Sequence, residues 1–218
     1  MSKKRKSIII LIIVLVLIGV ASISIYSYKM KNPDVTKNEE QSDIVEIPTI
    51  KLVPSKNIGV NEKKEFEVDV ALSSLPADIY PAASVSIGFN KDKLEFTGVK
   101  KGEMQTYGDI SSSGENFVVP LWDCDIKTSN DSGKINAIYL DKTAGKFAYN
   151  KFGFDKESKN VVLRLQFKLK NNAKQGEKYT LDIKDAIFAT VNGDKDNTSL
   201  SSIKGTLKVS GCEIVVQN

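Results

Sequence analysis

From Ile47 onward the chain alternates. Phe66-Glu67-Val68-Asp69-Val70 sets an apolar residue at every second position with an acid between, and Leu163-Arg164-Leu165-Gln166-Phe167-Lys168-Leu169-Lys170 holds the alternation over its whole length. Residues 84–89, 179–184 and 207–209 read the same way. A period of two sends one set of side chains to a core and the other to water, the pattern of a half-buried antiparallel strand. Turn-forming clusters separate the runs: Ser55-Lys56-Asn57-Ile58-Gly59, Asn90-Lys91-Asp92, Asn130-Asp131-Ser132-Gly133, Asn171-Asn172 with Gly176, and Asn192-Gly193-Asp194. The pattern predicts nine strands, at 47–53, 65–73, 83–89, 94–100, 117–123, 134–141, 161–170, 178–189 and 203–216, the last broken at Gly211. No stretch shows a helical period, and 144–159 stays ambiguous, with Phe147, Phe152 and Phe154 in need of cover. Many short strands at this spacing predict an all-β domain, a two-sheet sandwich or jelly roll, over residues 47–218.

The first 46 residues follow another pattern. Residues 8–25 carry no charge, and as a helix they would span about 27 Å, enough for a bilayer's hydrocarbon core. Four cations precede the run and two follow it. The positive-inside bias then makes 1–7 a cytoplasmic basic tail, 8–28 a transmembrane anchor, and the whole a single-pass plasma-membrane protein with its C-terminal domain outside. A cleaved signal peptide is the alternative, but its apolar core is shorter and Ala21-Ser22-Ile23 is a poor cleavage site. Residues 29–46, with Pro33 and Glu39-Glu40-Gln41-Ser42-Asp43, are too polar to fold and predict a flexible linker spanning about 20–25 Å.

Charge sharpens this division. Of 31 Lys and Arg against 27 Asp and Glu, six cations and no acid fall in residues 1–31, so the domain itself is slightly acidic and has no basic face for nucleic acid. Histidine is absent, which excludes a Ser-His-Asp or Cys-His nucleophile and His-ligated zinc, and two cysteines cannot make a four-thiolate site. Carboxylates are numerous but sit mostly on alternating solvent positions rather than in a pattern that declares a glycosidase pair. The run 192–197 lacks the frame of a calcium loop, and the sequons at Asn130 and Asn197 serve mainly as loop markers. No cofactor, metal or catalytic residue is expected.

The order of signals is more specific than a sandwich. Ile58-Gly59-Val60 leads to the 66–72 run and Leu75-Pro76. Then come Val85-Ser86-Ile87-Gly88-Phe89-Asn90, Lys91-Asp92-Lys93-Leu94-Glu95-Phe96-Thr97-Gly98-Val99 and Lys134-Ile135-Asn136-Ala137-Ile138-Tyr139-Leu140-Asp141. The chain closes with Lys170-Asn171-Asn172-Ala173-Lys174-Gln175-Gly176, Ala186-Ile187-Phe188-Ala189 before Asn192-Gly193-Asp194, and Gly211-Cys212-Glu213-Ile214-Val215-Val216. Over roughly 47–216 this resembles a cohesin domain, the module that binds dockerins in cellulosomes. The resemblance implies a nine-stranded β-sandwich with flattened jelly-roll topology and no catalysis of its own. It also implies a dockerin-bearing partner, such as a polysaccharide-degrading enzyme, held on a flat sheet face built from the third, fifth, sixth and eighth strands.

The pleat selects which side chains reach that face. On the third strand Val85, Ile87 and Phe89 should point inward and Ser84, Ser86 and Gly88 outward. On the sixth, Ile138 and Leu140 are expected in the core, leaving Ala137, Tyr139 and Asp141 outward with Lys142 at the strand end. Partner binding is therefore expected from Ser84, Ser86, Ala137, Tyr139, Asp141 and Lys142, with Tyr139 the aromatic anchor. Solvated strand residues are the plainer reading of Ser84 and Ser86. In the best-known cohesins the third strand offers an Asn-x-Asp pair, where this chain has Ala82 and Ser84. Trp122 reads as core or interface; the alternative function, a membrane-tethered carbohydrate-binding domain, would use it against polysaccharide. The resemblance also places Cys124 and Cys212 on different sheets, too far apart for a disulfide.

Overall fold

The computed structural model describes residues 46–54, 58–59, 65–76, 79–107, 117–143, 148–150, 160–171, 173–190 and 199–217. The alternating runs become strands. In chain order the strands are β1 (Thr49–Pro54), β2 (Ile58–Gly59), β3 (Phe66–Leu72), β4 (Ile79–Tyr80), β5 (Ala82–Gly88), β6 (Leu94–Lys101), β7 (Thr106–Tyr107) and β8 (Phe117–Val118). They continue as β9 (Lys134–Leu140), β10 (Tyr149–Asn150), β11 (Val161–Leu169), β12 (Lys178–Ala189), β13 (Leu200–Ser201), β14 (Lys208–Ser210) and β15 (Cys212–Gln217). The count exceeds the nine expected because two-residue pairings are too short to show a period, and because the last strand divides at Gly211. The expected strand 117–123 is not continuous. Its start pairs with β7, and Asp123 alone bridges to Ile138.

Two main sheets carry the fold. One runs β14-β1-β3-β11-β6, the other β2-β15-β12-β5-β9 with β13 also paired to β12. Both ends of the domain tie the sheets together: β1 pairs in parallel with β14 in the first sheet, and β2 with β15 in the second. The crossing of the last strand needs Gly211. A Cβ there would lie 2.4 Å from the Leu181 carbonyl oxygen, so no larger residue lets the chain pass this close between β14 and β15.

Inward residues of both sheets meet in one core. At one end Phe167 of β11 contacts Phe66, Phe89 and Phe96, with ring centroids 5.8, 5.5 and 5.5 Å away. At the other end Tyr149 gathers Tyr139 at 5.0 Å, Phe188 at 5.8 Å and Trp122 at 6.4 Å. The Trp122 indole N–H donates to the Tyr149 hydroxyl at 2.9 Å, and that hydroxyl donates to the Val162 carbonyl at 3.3 Å. Two buried polar groups are thus satisfied in series, which removes the cost of enclosing them.

One element runs against the sequence reading. Asn130-Asp131-Ser132-Gly133, expected as a turn, ends a helix, α1 (Ile126–Ser132). Asp125 caps its start by accepting from the Thr128 N–H at 2.9 Å, and Gly133, at φ 71°, ends it by donating to the Ser129 carbonyl. Seven residues are too few to display a helical period, though the caps were legible. Asn130 is no loop marker either. Its amide accepts from the Phe96 N–H at 2.9 Å and donates to the Phe96 carbonyl at 2.8 Å, completing a rung on the outer edge of β6.

Both cysteines are free. They do not lie on different sheets as expected: Cys212 is on β15, and Cys124 follows the bridge beside β9, so β12, β5 and β9 separate them within one sheet. At about 4.8 Å per strand that is far beyond disulfide reach. Burial pushes the Cys212 thiol up to about 11 and raises Cys124 as well, which favours the protonated thiol at both. The 192–197 run, Asn197, Phe147, Phe152, Phe154 and the expected anchor and linker at 1–45 lie outside the described residues. Among the described residues no helix is long and apolar enough to cross a membrane.

Candidate functional site

The strands named for a docking face lie side by side. In the second sheet β12 neighbours β5, β5 neighbours β9, and Asp123 bridges to β9. Their registers define rows across the outer face. Ile187, Ser84, Ile138 and Asp123 form one row. Ala189, Ala82 and Leu140 form the next towards one end; Asp185, Ser86 and Asn136, then Asp182, Gly88 and Lys134, follow towards the other. Three strand spacings make the face about 14 Å wide.

Its two ends differ in chemistry. At the polar end the Ser86 hydroxyl donates to the Asn136 side-chain oxygen at 2.9 Å, and Asp185 accepts from the Ser202 hydroxyl at 2.7 Å. At the other end stand aliphatic side chains in water: Leu121 is 69% exposed, Leu140 62% and Ile138 55%. Exposed aliphatics this close together form an apolar patch on the described surface.

The third strand faces as expected: Val85 and Ile87 are buried, and Ser84 and Ser86 stand half-buried on the outer face. The sixth strand, β9, faces the other way. Ala137 is fully buried and Tyr139 only 7% exposed, while Ile138 and Leu140 point out. Ala137 and Tyr139 are therefore not outward contacts. Tyr139 packs on Trp122 and Tyr149 at 6.0 and 5.0 Å, and that burial raises its hydroxyl pKa, with a smaller push from Asp141. Residues 137–140 are apolar in both phases, so alternation alone could not choose between them. The signal that could have chosen is that Lys134 and Asn136 share the phase of Ile138 and Leu140, which makes that phase the wet one.

Asp141 is half-buried and accepts from the Thr143 backbone N–H at 2.9 Å and from its hydroxyl. Lys142 is exposed beside it. Trp122, 6% exposed, belongs to the core. Among the residues whose burial is described, the exposed large hydrophobic side chains are aliphatic. Sequence reasoning missed Leu121, Ile138 and Leu140 as exposed residues and the half-buried Ile187 on the same face. It also missed a cleft of about 760 Å³ where residues 119–122 diverge from the end of β9.

The outer face of the first sheet is built differently. Arg164 on β11 donates to Asp69 at 2.9 Å and pairs with Glu103, with Glu67 4.0 Å away. Lys100 meets Glu67 at 2.8 Å, and Lys168 meets Glu65 at 3.6 Å. Among the described residues no group of three or more cysteines or carboxylates is placed to hold a metal ion.

The sequence matches no protein-family model and no curated protein. Solved structures do match. The third cohesin of ScaC in complex with the ScaB dockerin, from Acetivibrio cellulolyticus, is 13% identical with a TM-score of 0.54, covering 78% of this chain and 99% of that one. This chain has a cohesin-like fold. A type I cohesin–dockerin complex of OlpA from Clostridium thermocellum is 15% identical at TM-score 0.51, covering 77% of this chain and 99% of the other. The cohesin module of a Clostridium perfringens family 33 glycoside hydrolase is 12% identical at 0.51, covering 78% and 97%. The strand order places β12, β5 and β9 as neighbours, while identities this low leave the side chains of the outer face specific to this chain.

Proposed function

We propose that the domain is a membrane-anchored, cell-surface receptor for a dockerin-bearing protein, and that it binds this partner on the outer face of β12, β5 and β9. One observation carries the reading: of the two outer sheet faces, this one ends in exposed aliphatic side chains that no described residue covers, whereas the other is closed by ion pairs. Two of the matching structures are cohesins solved with dockerins, which supports a partner of that kind. The contacts are Ser84 and Ser86 on β5 and Ile138 and Leu140 on β9, with Leu121, Asp141 and Lys142 at the rim. Ala82 and Ser84 offer no carboxylate on β5, so the third strand meets the partner through apolar contact and hydroxyl hydrogen bonds. Any chemistry on polysaccharide belongs to the partner. The uncharged run 8–25 is the anchor, and the domain works outside the cell.

Capture with the full-length chain as bait, beside its Ile138→Asp variant, tests the reading. Dockerin-bearing proteins should be retained by the wild type and lost with the variant. Retention of proteins without a dockerin, or equal retention by both baits, would refute it.

A further inference from the structure

The lane of the docking face beyond β9 is not a strand. It meets the β9 edge at Asp123, whose N–H and carbonyl exchange hydrogen bonds with Ile138 at 2.8 and 2.9 Å. Where a strand would continue the ladder the chain turns into α1, which lies against both β9 and β6. One bridge is a weak hold by itself, since sparsely bonded edges open locally.

Residues 123–133 are bonded to one another from end to end. The Cys124 N–H donates to the Asp123 carboxylate at 2.8 Å, and Asp125 caps the helix. The Ser129 hydroxyl donates to the Asp125 carbonyl at 2.6 Å, and Gly133 closes the last turn. A segment bonded in this way moves as one piece. Its far end is fastened near β5, where the Phe89 N–H donates to the Gly133 carbonyl at 2.9 Å and the Lys91 ammonium donates to the Asp131 carbonyl. Its polar attachment to the first sheet is Asn130, which bonds both the N–H and the carbonyl of Phe96. Asn130 also donates to the Ile126 carbonyl at 3.0 Å, so the same amide holds the first turn of the helix.

We propose that Asn130 is a positioning residue for the docking face. It touches no partner. By fastening α1 to β6 it keeps Asp123 in register with Ile138 and Leu121 in place at the rim, so one edge of the binding face is set from the opposite sheet. Without the amide, the Phe96 N–H and carbonyl lose their partner at the strand edge, and α1 is free to shift with Asp123 at its head. The consequence for a dockerin-bearing partner rests on the proposed function of this face; the attachment itself does not.

The attachment is tested on the full-length chain without a partner. Trp122 is the sole tryptophan, directly precedes Asp123 and is 6% exposed, so quenching of its emission by acrylamide reports whether the rim stays in place. Asn130→Ala should raise the quenching constant about threefold under fully native conditions. Asn130→Asp still accepts from the Phe96 N–H but cannot donate to the carbonyl, and should fall between that variant and the wild type. Val68→Ala, a cavity in β3 that lowers stability without touching α1, should leave quenching at the wild-type value, because loss of global stability alone does not move a native side chain. In capture with full-length bait, Asn130→Ala should retain about fivefold less dockerin-bearing protein than the wild type. Unchanged quenching in both Asn130 variants, or an equal rise in Val68→Ala, would overturn the proposal. Raised quenching with undiminished retention would overturn the positioning role. A wild type that retains no dockerin-bearing protein would refute the reading of the face, and quenching would still decide whether Asn130 holds the rim.

Discussion

The two outer faces of the sandwich are built on the same pleat and end in opposite states. On β3, β11 and β6 the outward positions hold charges that meet each other: Arg164 stands among Asp69, Glu67 and Glu103, and Lys100 completes the set. Their fields largely cancel within the face, and little is left to attract a partner. Desolvation still has a cost there, since burial raises the Asp69 carboxyl above its ordinary range despite the pull of Arg164. On β12, β5 and β9 the outward positions hold Asp182, Asp185 and Lys134 at one end, serine hydroxyls and the Asn136 amide between, and aliphatics beside Asp123 at the other, and those aliphatics stay in water. A face that satisfies itself is a wall. A face that leaves apolar area exposed keeps that free energy available for association.

The sharpest way to break this comparison is to test which side of β9 is core. Tyr139→Ala should destabilise the fold by about 3–5 kcal/mol, because it empties a site between Trp122 and Tyr149. Ile138→Ala should cost about 0.5 kcal/mol or less. Urea unfolding of both variants decides it, and a larger loss for Ile138→Ala would reverse the facing of the strand.

Next in size is binding. Ser84→Arg should weaken a dockerin-bearing partner by about 1–3 kcal/mol, measured by titration calorimetry, while Lys168→Glu on the opposite face should leave affinity unchanged. Equal effects from both would mean the partner does not distinguish the faces. Smaller again is the cost of opening the charged face. Arg164→Ala removes the cation shared by three carboxylates, but its side chain is partly exposed at 24%, so solvent screening holds the expected loss to about 1–2 kcal/mol of stability, with partner binding untouched.

The smallest effect is one of pH. The Tyr179 hydroxyl, the Lys174 N–H and Lys93 hold Glu177 at about 2, below the carboxylate range. A depressed folded-state pKa contributes stability that is present above the unfolded value and lost as pH falls through the folded one. The wild type should therefore lose stability between about pH 4.5 and 2, and Glu177→Gln should flatten that limb of the profile, seen in thermal melts across the range. An unchanged limb would show that Glu177 is not the group responsible.

Much of this was legible along the chain. The strands at 66–72, 94–101, 161–169 and 178–189 follow from alternation of residues that are neighbours in sequence, and so does the facing of β5, where serines and valine or isoleucine take turns. The break at Gly211 was legible too, since a glycine within a strand marks a close approach. The docking face was read half correctly, for Ser84 and Ser86 but not for β9.

What tertiary structure alone decided has a common cause. Local period reports a contrast between two phases, and residues 137–140 offer none. The phase that is buried is chosen by what stands opposite, here Trp122, Tyr149 and Phe188, whose rings leave a space that Tyr139 fills. The helix at 126–132 depends in the same way on a distant partner, because Asn130 is held by the backbone of Phe96 across the sandwich edge. The pairing of Arg164 with Asp69 and Glu103, and the outer edge of β9 where no described residue pairs with Leu140, are likewise properties of registers between segments far apart in sequence. A one-dimensional pattern carries the propensity of each segment, and the surface it presents is settled only when the segments lie against one another.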